Sequence, residues 1–112
     1  GREWGGWFVA GEDGRVVGAG GGGMTGERTG ELFVLYVDPD RRNEGIGTLL
    51  LDAITRQQKD LGATEQWVSV FKGNRKGIPF YEARGFVFHH EQPAHGSRDG
   101  DDYVSLRYRR FV

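Results

Sequence analysis

The chain contains no cysteine. Disulfides and thiolate metal sites are therefore excluded, and so is a cysteine nucleophile. The lack of thiols fits a reducing compartment, and a cytoplasmic setting is expected. No apolar run approaches the length of a membrane span. The opening Gly1-Arg2-Glu3-Trp4 carries no apolar stretch of the kind a signal peptide needs. Nor is there an excess of charge: 15 basic residues stand against 16 acidic ones, a net of −1. Electrostatics thus give no argument for nucleic acid or a membrane surface as a partner. At 112 residues the expectation is one domain, 1–112, with a modest core.

What the chain has in excess is glycine, 20 residues of it. Many fall at turns or in one loop suited to phosphate. The run Gly20–Gly23 fits neither, because glycine weakens a strand. A bulge, a close backbone contact and a flexible loop all remain open for it.

Trp7-Phe8-Val9-Ala10 reads as a strand. Asp13-Gly14 supplies the positive φ of a hairpin turn. Val16-Val17-Gly18-Ala19 returns as a second strand and fades into the glycine run. Glu31 to Val37 is nearly continuous in apolar residues, which predicts a central strand covered on both faces. Pro39 ends it. Gly45 to Asp60 has helical spacing, with Ile46, Leu49, Leu50, Ala53, Ile54 and Gln57 on one face. Gly62 stops that helix. Gln66–Phe71 is a strand, and Ile78–Arg84 a short helix with Pro79 in its first turn and Gly85 at its end. Phe86–His89 is a strand, Pro93–Asp102 a polar loop, and Tyr103–Phe111 the last strand. The order β-β-β-α-β-α-β-β predicts an α/β (α+β) fold: a mixed, mainly antiparallel sheet with helices packed on it.

The segment Val37-Asp38-Pro39-Asp40-Arg41-Arg42-Asn43-Glu44-Gly45-Ile46-Gly47-Thr48 carries the strongest functional signal. A strand ends, a basic turn follows, and two glycines open a helix. The first amides of a helix have no internal partner and sit at the positive end of its dipole, which suits phosphate. Gly45 and Gly47 let an anion approach the backbone, and Arg42 adds a formal charge. The plainer alternative makes Gly45 a turn residue and Arg42 a solvated charge. A Rossmann loop would need a third glycine near Leu50 and an acid at the end of the next strand, where Phe71-Lys72 stands instead. A Walker loop would need Gly-Lys-Ser/Thr, which is missing.

Arg42-x-x-Gly45-x-Gly47, led in by Val37-x-Pro39, resembles the acetyl-CoA pyrophosphate signature of the GNAT superfamily of N-acetyltransferases. Downstream, Asn74-x-x-x-Ile78-x-Phe80-Tyr81-Glu82-x-x-Gly85-Phe86 is similar to that family's second block. The resemblance runs from about Trp7 to the C-terminus. It implies an acetyltransferase that moves acetyl from acetyl-CoA to a primary amine, on a small molecule or a protein, with no metal. By the same resemblance, the backbone of Leu35, Tyr36 and Val37 pairs with the pantetheine arm. The amides of Arg42, Asn43, Gly45, Ile46, Gly47 and Thr48 hold the pyrophosphate. Asn74 bonds the cofactor arm, and Tyr81 sits near the thioester sulfur.

Acetyl transfer requires an amine without its proton, a stabilised oxyanion and a protonated leaving thiolate. A backbone N–H near Leu35 or Tyr36 is the oxyanion donor expected, and Tyr81 the acid, its alternative being a core aromatic beside Phe80. Glu31 is the candidate base, directly or through water, its alternative being a charge at a strand edge. The lack of a thiol nucleophile favours direct attack in a ternary complex over a covalent acyl-enzyme. A non-catalytic acyl-CoA-binding module is the competing reading. The family's first strand and first two helices have no counterpart ahead of Trp7. The expectation is therefore a homodimer, or a dependence on residues upstream of Gly1.

Several eye-catching residues have plain explanations. His89 and His90 are expected on opposite strand faces, so neither they nor His95 suggests a metal. Arg107, Arg109 and Arg110 read as a solvated strand, Asp99, Asp101 and Asp102 as a solvated loop. Trp4, Trp7 and Trp67 read as core or interface aromatics.

Overall fold

The computed structural model describes residues 3–42, 44–93 and 104–112, with side chains from residue 6 onward. Among the described residues, six strands and two α-helices follow one another in the order expected: β1 (Glu3–Glu12), β2 (Arg15–Met24), β3 (Thr29–Val37), α1 (Ile46–Asp60), β4 (Glu65–Phe71), α2 (Gly77–Ala83), β5 (Val87–Pro93) and β6 (Val104–Phe111). The strand order is β1-β2-β3-β4-β6-β5. The pairs β1–β2, β2–β3 and β5–β6 are antiparallel, in a mixed sheet. The chain forms two compact units, one up to Gln66 together with Val112, the other Trp67–Phe111.

In the first unit, Asp13 at φ 50° and Gly14 at φ 77° make the tight turn between β1 and β2. Both positive angles match a type I′ hairpin, whose twist suits the flanking strands. The β2 strand does not fade at Ala19. It runs through the whole glycine stretch, and Gly20–Gly23 are buried. For the glycines on one face, Gly18, Gly20 and Gly22, the reason is the helix lying on it. A Cβ on Gly18 would come within 2.9 Å of Ile46 and 3.0 Å of Leu50, and one on Gly20 within 3.2 Å of Ile54. Alternate glycines thus let α1 settle on the strand at a distance no side chain permits.

Val17, Ile46 and Leu50 form the core beneath, with Phe8, Ala10, Leu35 and Val37 packed against them. The buried stripe of α1 differs from the expected one. Ile46, Gly47, Leu50, Leu51, Ile54 and Gln58 are buried, while Leu49 is 69% exposed. The helix is turned so that Leu51 and Gln58 face the sheet where Leu49 and Gln57 were expected. Leu61 caps the helix C-terminus, and Gly62 follows at φ 103°.

The β3 strand also departs from expectation. Gly21 pairs with Val34 but Gly22 with Leu32, so Phe33 is an extra residue, a β-bulge. Paired residues of antiparallel strands share a face. Leu32, Leu35 and Val37 therefore lie on the α1 side with Gly22, Gly20 and Gly18. Glu31, Val34 and Tyr36 lie on the other, with Gly23, Gly21 and Ala19. Val34 and Tyr36 are exposed, so β3 is covered on one face only. Trp7 and Val9, paired with Gly21 and Ala19, continue this open face and are also exposed. Trp7 is therefore not a core residue.

In the second unit, Tyr81 of α2 is buried with its ring edge-on to Phe80 and Phe86, at 5.2 and 5.5 Å between centroids. Gly85 at φ 92° ends the helix and turns the chain into Phe86. A register shift between Phe88 and His90 marks a bulge at His89. It overturns the expectation that His89 and His90 point apart: their Nδ1 atoms are 2.8 Å from one another. Arg107, Arg109 and Arg110 are not simply solvated either. Arg107 and Arg109 lie over the Trp67 ring at 5.2 and 5.6 Å, and Arg110 over Phe86 at 4.6 Å. Arg110 also donates to the Arg84 carbonyl at 2.7 Å. Trp4, His95, Asp99, Asp101 and Asp102 lie outside the described side chains.

Candidate active site

The end of β3 and the start of α1 are held together by the first unit's core. Val37 and Leu35 pack on Ile46 and Val17, and Asp38 N donates to the Val17 carbonyl at 2.8 Å. Pro39–Arg41 then make a single 3-10 turn, capped by Asp38, whose carboxylate accepts from Asp40 N at 3.0 Å. The two adjacent arginines separate in role. Arg41 donates to both carboxylate oxygens of Glu44, at 2.9 and 3.0 Å, and pairs with Glu12. The Arg41 bond holds the Glu44 carboxyl below the usual carboxylate range. Arg42 is exposed, and no such pair engages it among the described residues. Arg41 stiffens the turn, and the adjacent charge of Arg42 faces water.

Gly45 caps α1 in the left-handed region, φ 82° and ψ 4°. An L side chain is strained there, so glycine is required by the backbone as well as by any approaching anion. The helical ladder opens with Leu49 N donating to Gly45 O at 3.0 Å. The amides of Ile46 and Gly47 precede that bond, at the positive end of a 15-residue helix. Gly47 is buried, whereas Gly45 and Arg42 are exposed. Thr48 is half-buried. Asn43 lies outside the described residues.

Glu31 is half-buried on the open face of β3, the face it shares with Val34 and Tyr36. Its carbonyl accepts from the Gln58 amide at 2.9 Å. Sequence reading missed the polar cluster to which that bond belongs, made of buried Gln58 and Gln66 with half-buried Thr55. The one signal for it was the glycine run that had no explanation.

Asn74 and Tyr81 belong to the second unit. Asn74 is exposed, and its Oδ1 accepts from Gly77 N at 2.9 Å, capping the start of α2. One half of its amide is thereby committed to structure, and Nδ2 is the half a ligand would use. Tyr81 accepts at its backbone carbonyl from Phe86 N and Arg84 N. Burial pushes its phenol up to about 12. The hydroxyl therefore keeps its proton across the neutral range. Among the described residues no group of three or more His, Asp or Glu side chains is arranged to hold a metal. No helix there is long and apolar enough to cross a membrane.

The acetyltransferase (GNAT) family model matches residues 1–86. The chain belongs to that family. Among its relatives is the mycothiol acetyltransferase of Propionibacterium freudenreichii, 38% identical over 61 residues, which are 54% of this chain and 20% of that protein. Another is the ribosomal protein bS18-alanine N-acetyltransferase of Escherichia coli, 34% identical over 55 residues, 49% of this chain and 37% of that protein. In structure the chain is similar to nourseothricin acetyltransferase, with a TM-score of 0.85 and 25% identity over 94% of this chain and 64% of that one. The matches cover well under half the length of these two sequence relatives and under two thirds of the structural one.

Proposed function

We propose that the chain is an acetyl-CoA-dependent N-acetyltransferase that acts on a primary amine by direct attack in a ternary complex. One observation carries the reading. The family's signature residues fall on a strand end, a braced turn and a helix opened by left-handed Gly45, with Arg42 exposed beside it. That is the geometry a pyrophosphate asks for. In this reading the amides from Arg42 to Thr48, Asn43 among them, hold the pyrophosphate, and the backbone of Leu35–Val37 pairs with pantetheine. Asn74 bonds the cofactor arm through Nδ2. A backbone N–H at Leu35 or Tyr36 receives the oxyanion.

Tyr81 is the group at the leaving sulfur. A phenol near 12 gives up its proton less readily than an ordinary one. It serves as a hydrogen-bond donor that transfers only as thiolate charge develops. Glu31, on the same strand face as Tyr36, takes the amine's proton directly or through water. The acceptor is a small-molecule or protein amine, the 112 residues serve as one functional domain, and the setting is cytoplasmic. A homodimer over the open face of Trp7, Val9, Val34 and Tyr36 belongs to the same proposal.

That open face also favours the second reading, an acyl-CoA-binding module without an acceptor site. Free thiol release from acetyl-CoA with a mixture of amine acceptors separates the two. Acceptor-dependent release supports the enzyme. Binding without release supports the module, and no binding removes both.

A further inference from the structure

The bulge at Phe33 decides which backbone groups and side chains β3 presents beyond it. With the bulge, Leu35 and Val37 face α1, and Val34 and Tyr36 face away. A slip of one residue would exchange the two sets. A bulge also breaks the ladder locally, so something must hold it in place.

Gln58 does so from α1. It is 1% exposed. Its Nε2 donates to the Glu31 carbonyl at 2.9 Å and approaches the Gly23 carbonyl at 3.4 Å. These two residues pair just ahead of the bulge. The amide has a defined orientation, because its Oε1 accepts from Gln66 Nε2 at 3.0 Å. Gln66, fully buried, also donates to Thr55 Oγ1 at 3.1 Å, and the Thr55 hydroxyl donates in turn to the Leu51 carbonyl at 2.7 Å. Each donor in this chain meets an acceptor, which gives a buried amide a single orientation. Two glycines make the room. A Cβ on Gly22 would lie 2.8 Å from Gln58 Nε2, and one on Gly30 would strike Gln58 Oε1.

We propose that Gln58 is a positioning residue for acetyl transfer. By donating to the Glu31 carbonyl it fixes the bulge, and with it the register of the Leu35–Val37 backbone along which the pantetheine arm lies. The inference rests on the role given to Leu35–Val37 above.

The test compares the parent protein with Gln58→Met, which keeps the side-chain length and removes the amide. Acetyl-CoA and adenosine diphosphate are titrated into each, the second ligand engaging the helix start without a pantetheine arm. Acetyl-CoA affinity is expected to fall about tenfold while that for adenosine diphosphate is unchanged. Amide hydrogen exchange at Leu35–Val37 quickens, and exchange in the β1–β2 hairpin does not. Equal losses for the two ligands, or no loss for either, overturn the proposal. Should Gln58→Met not fold, Thr55→Val releases Gln66 from the far end and is expected to give the same split at smaller size; the same two outcomes overturn it. If the parent binds neither ligand, the role of Leu35–Val37 fails by itself. Hydrogen exchange then judges Gln58 separately, and parent-like exchange at Leu35–Val37 in the variant overturns its role.

Discussion

Gly22 and Glu31 approach so closely that a Cβ on Gly22 would fall on the Glu31 carbonyl oxygen. The contact is with backbone, which cannot swing aside as the end of a side chain can. It sits where Gln58 reaches the same carbonyl, so a methyl group at Gly22 presses on both partners of that bond.

Gly22→Ala should therefore destabilise the fold by roughly 1–3 kcal/mol or more, as overpacking in a close-packed core does. Gly73→Ala is the control, because a Cβ there meets nothing within 4 Å. It should stay within about 0.5 kcal/mol of the parent. Urea denaturation of the two variants measures the difference, and equal midpoints would remove the close-approach account of the glycine run.

Acetyl-CoA should raise the melting temperature, since a ligand that binds only the folded state stabilises it by mass action. Within that effect the two arginines should part. Arg42→Ala should weaken acetyl-CoA about tenfold, as expected for one charge-assisted contact to a phosphate, with little change in the unliganded melt. Arg41→Ala should do the reverse. It loses the pairs with Glu12 and Glu44 and slackens the turn, so its main effect appears without ligand. Calorimetry and melting curves on both variants check this, and an unchanged affinity in Arg42→Ala counts against the pyrophosphate assignment.

Element order and most boundaries were legible in the sequence because they depend on local chemistry. Asp13-Gly14 makes its turn, Gly85 ends its helix, and Gly45 opens another at positive φ. What the sequence hid depends on partners far away in the chain. Gln57 and Gln58 are chemically identical neighbours. Gln58 is the one that enters the hollow left by Gly22 and Gly30, while Gln57 is only half-buried. The same rotation exposes Leu49 and buries Leu51. The apolar run of β3 suggested cover on both faces, but a bulge and an open sheet face leave Val34 and Tyr36 exposed. A second bulge brings His89 and His90 together against the simple alternation of a strand. Of the candidate site, the turn and helix start that carry the signature could be read directly as local structure. The buried amides that brace β3 could not, since glutamine in a helix ordinarily faces water.

Tyr81→Phe should lower turnover by roughly 10²-fold or more, the scale of one general acid, and leave acetyl-CoA affinity nearly unchanged. The hydroxyl is proposed to act only as the sulfur leaves, so its loss belongs to kcat. Equal turnover in parent and variant would return Tyr81 to a packing role between Phe80 and Phe86.

The same substitution has a second signature that needs no substrate. Burial raises the Tyr81 phenol from an ordinary value near 10 to about 12 in the folded protein. Below pH 10 the phenol is neutral in both folded and unfolded chains, and the stability from keeping it neutral is fully present. Between pH 10 and 12 the unfolded chain ionises first, which draws the equilibrium toward unfolding. Stability is therefore lost as pH rises through this window, by on the order of 2–3 kcal/mol for a shift of this size. Tyr108 is raised in the same direction, by burial and by the nearby Glu82, so some alkaline loss remains whatever happens at Tyr81. Tyr81→Phe should flatten the fall in stability between pH 10 and 12 without abolishing it, and leave the curve below pH 10 with its parent slope. Urea midpoints measured across that range for the two proteins decide it. Parallel curves would mean that the hydroxyl reaches water in the folded state, and the proposal of a buried, proton-holding donor at the sulfur would fall with that result.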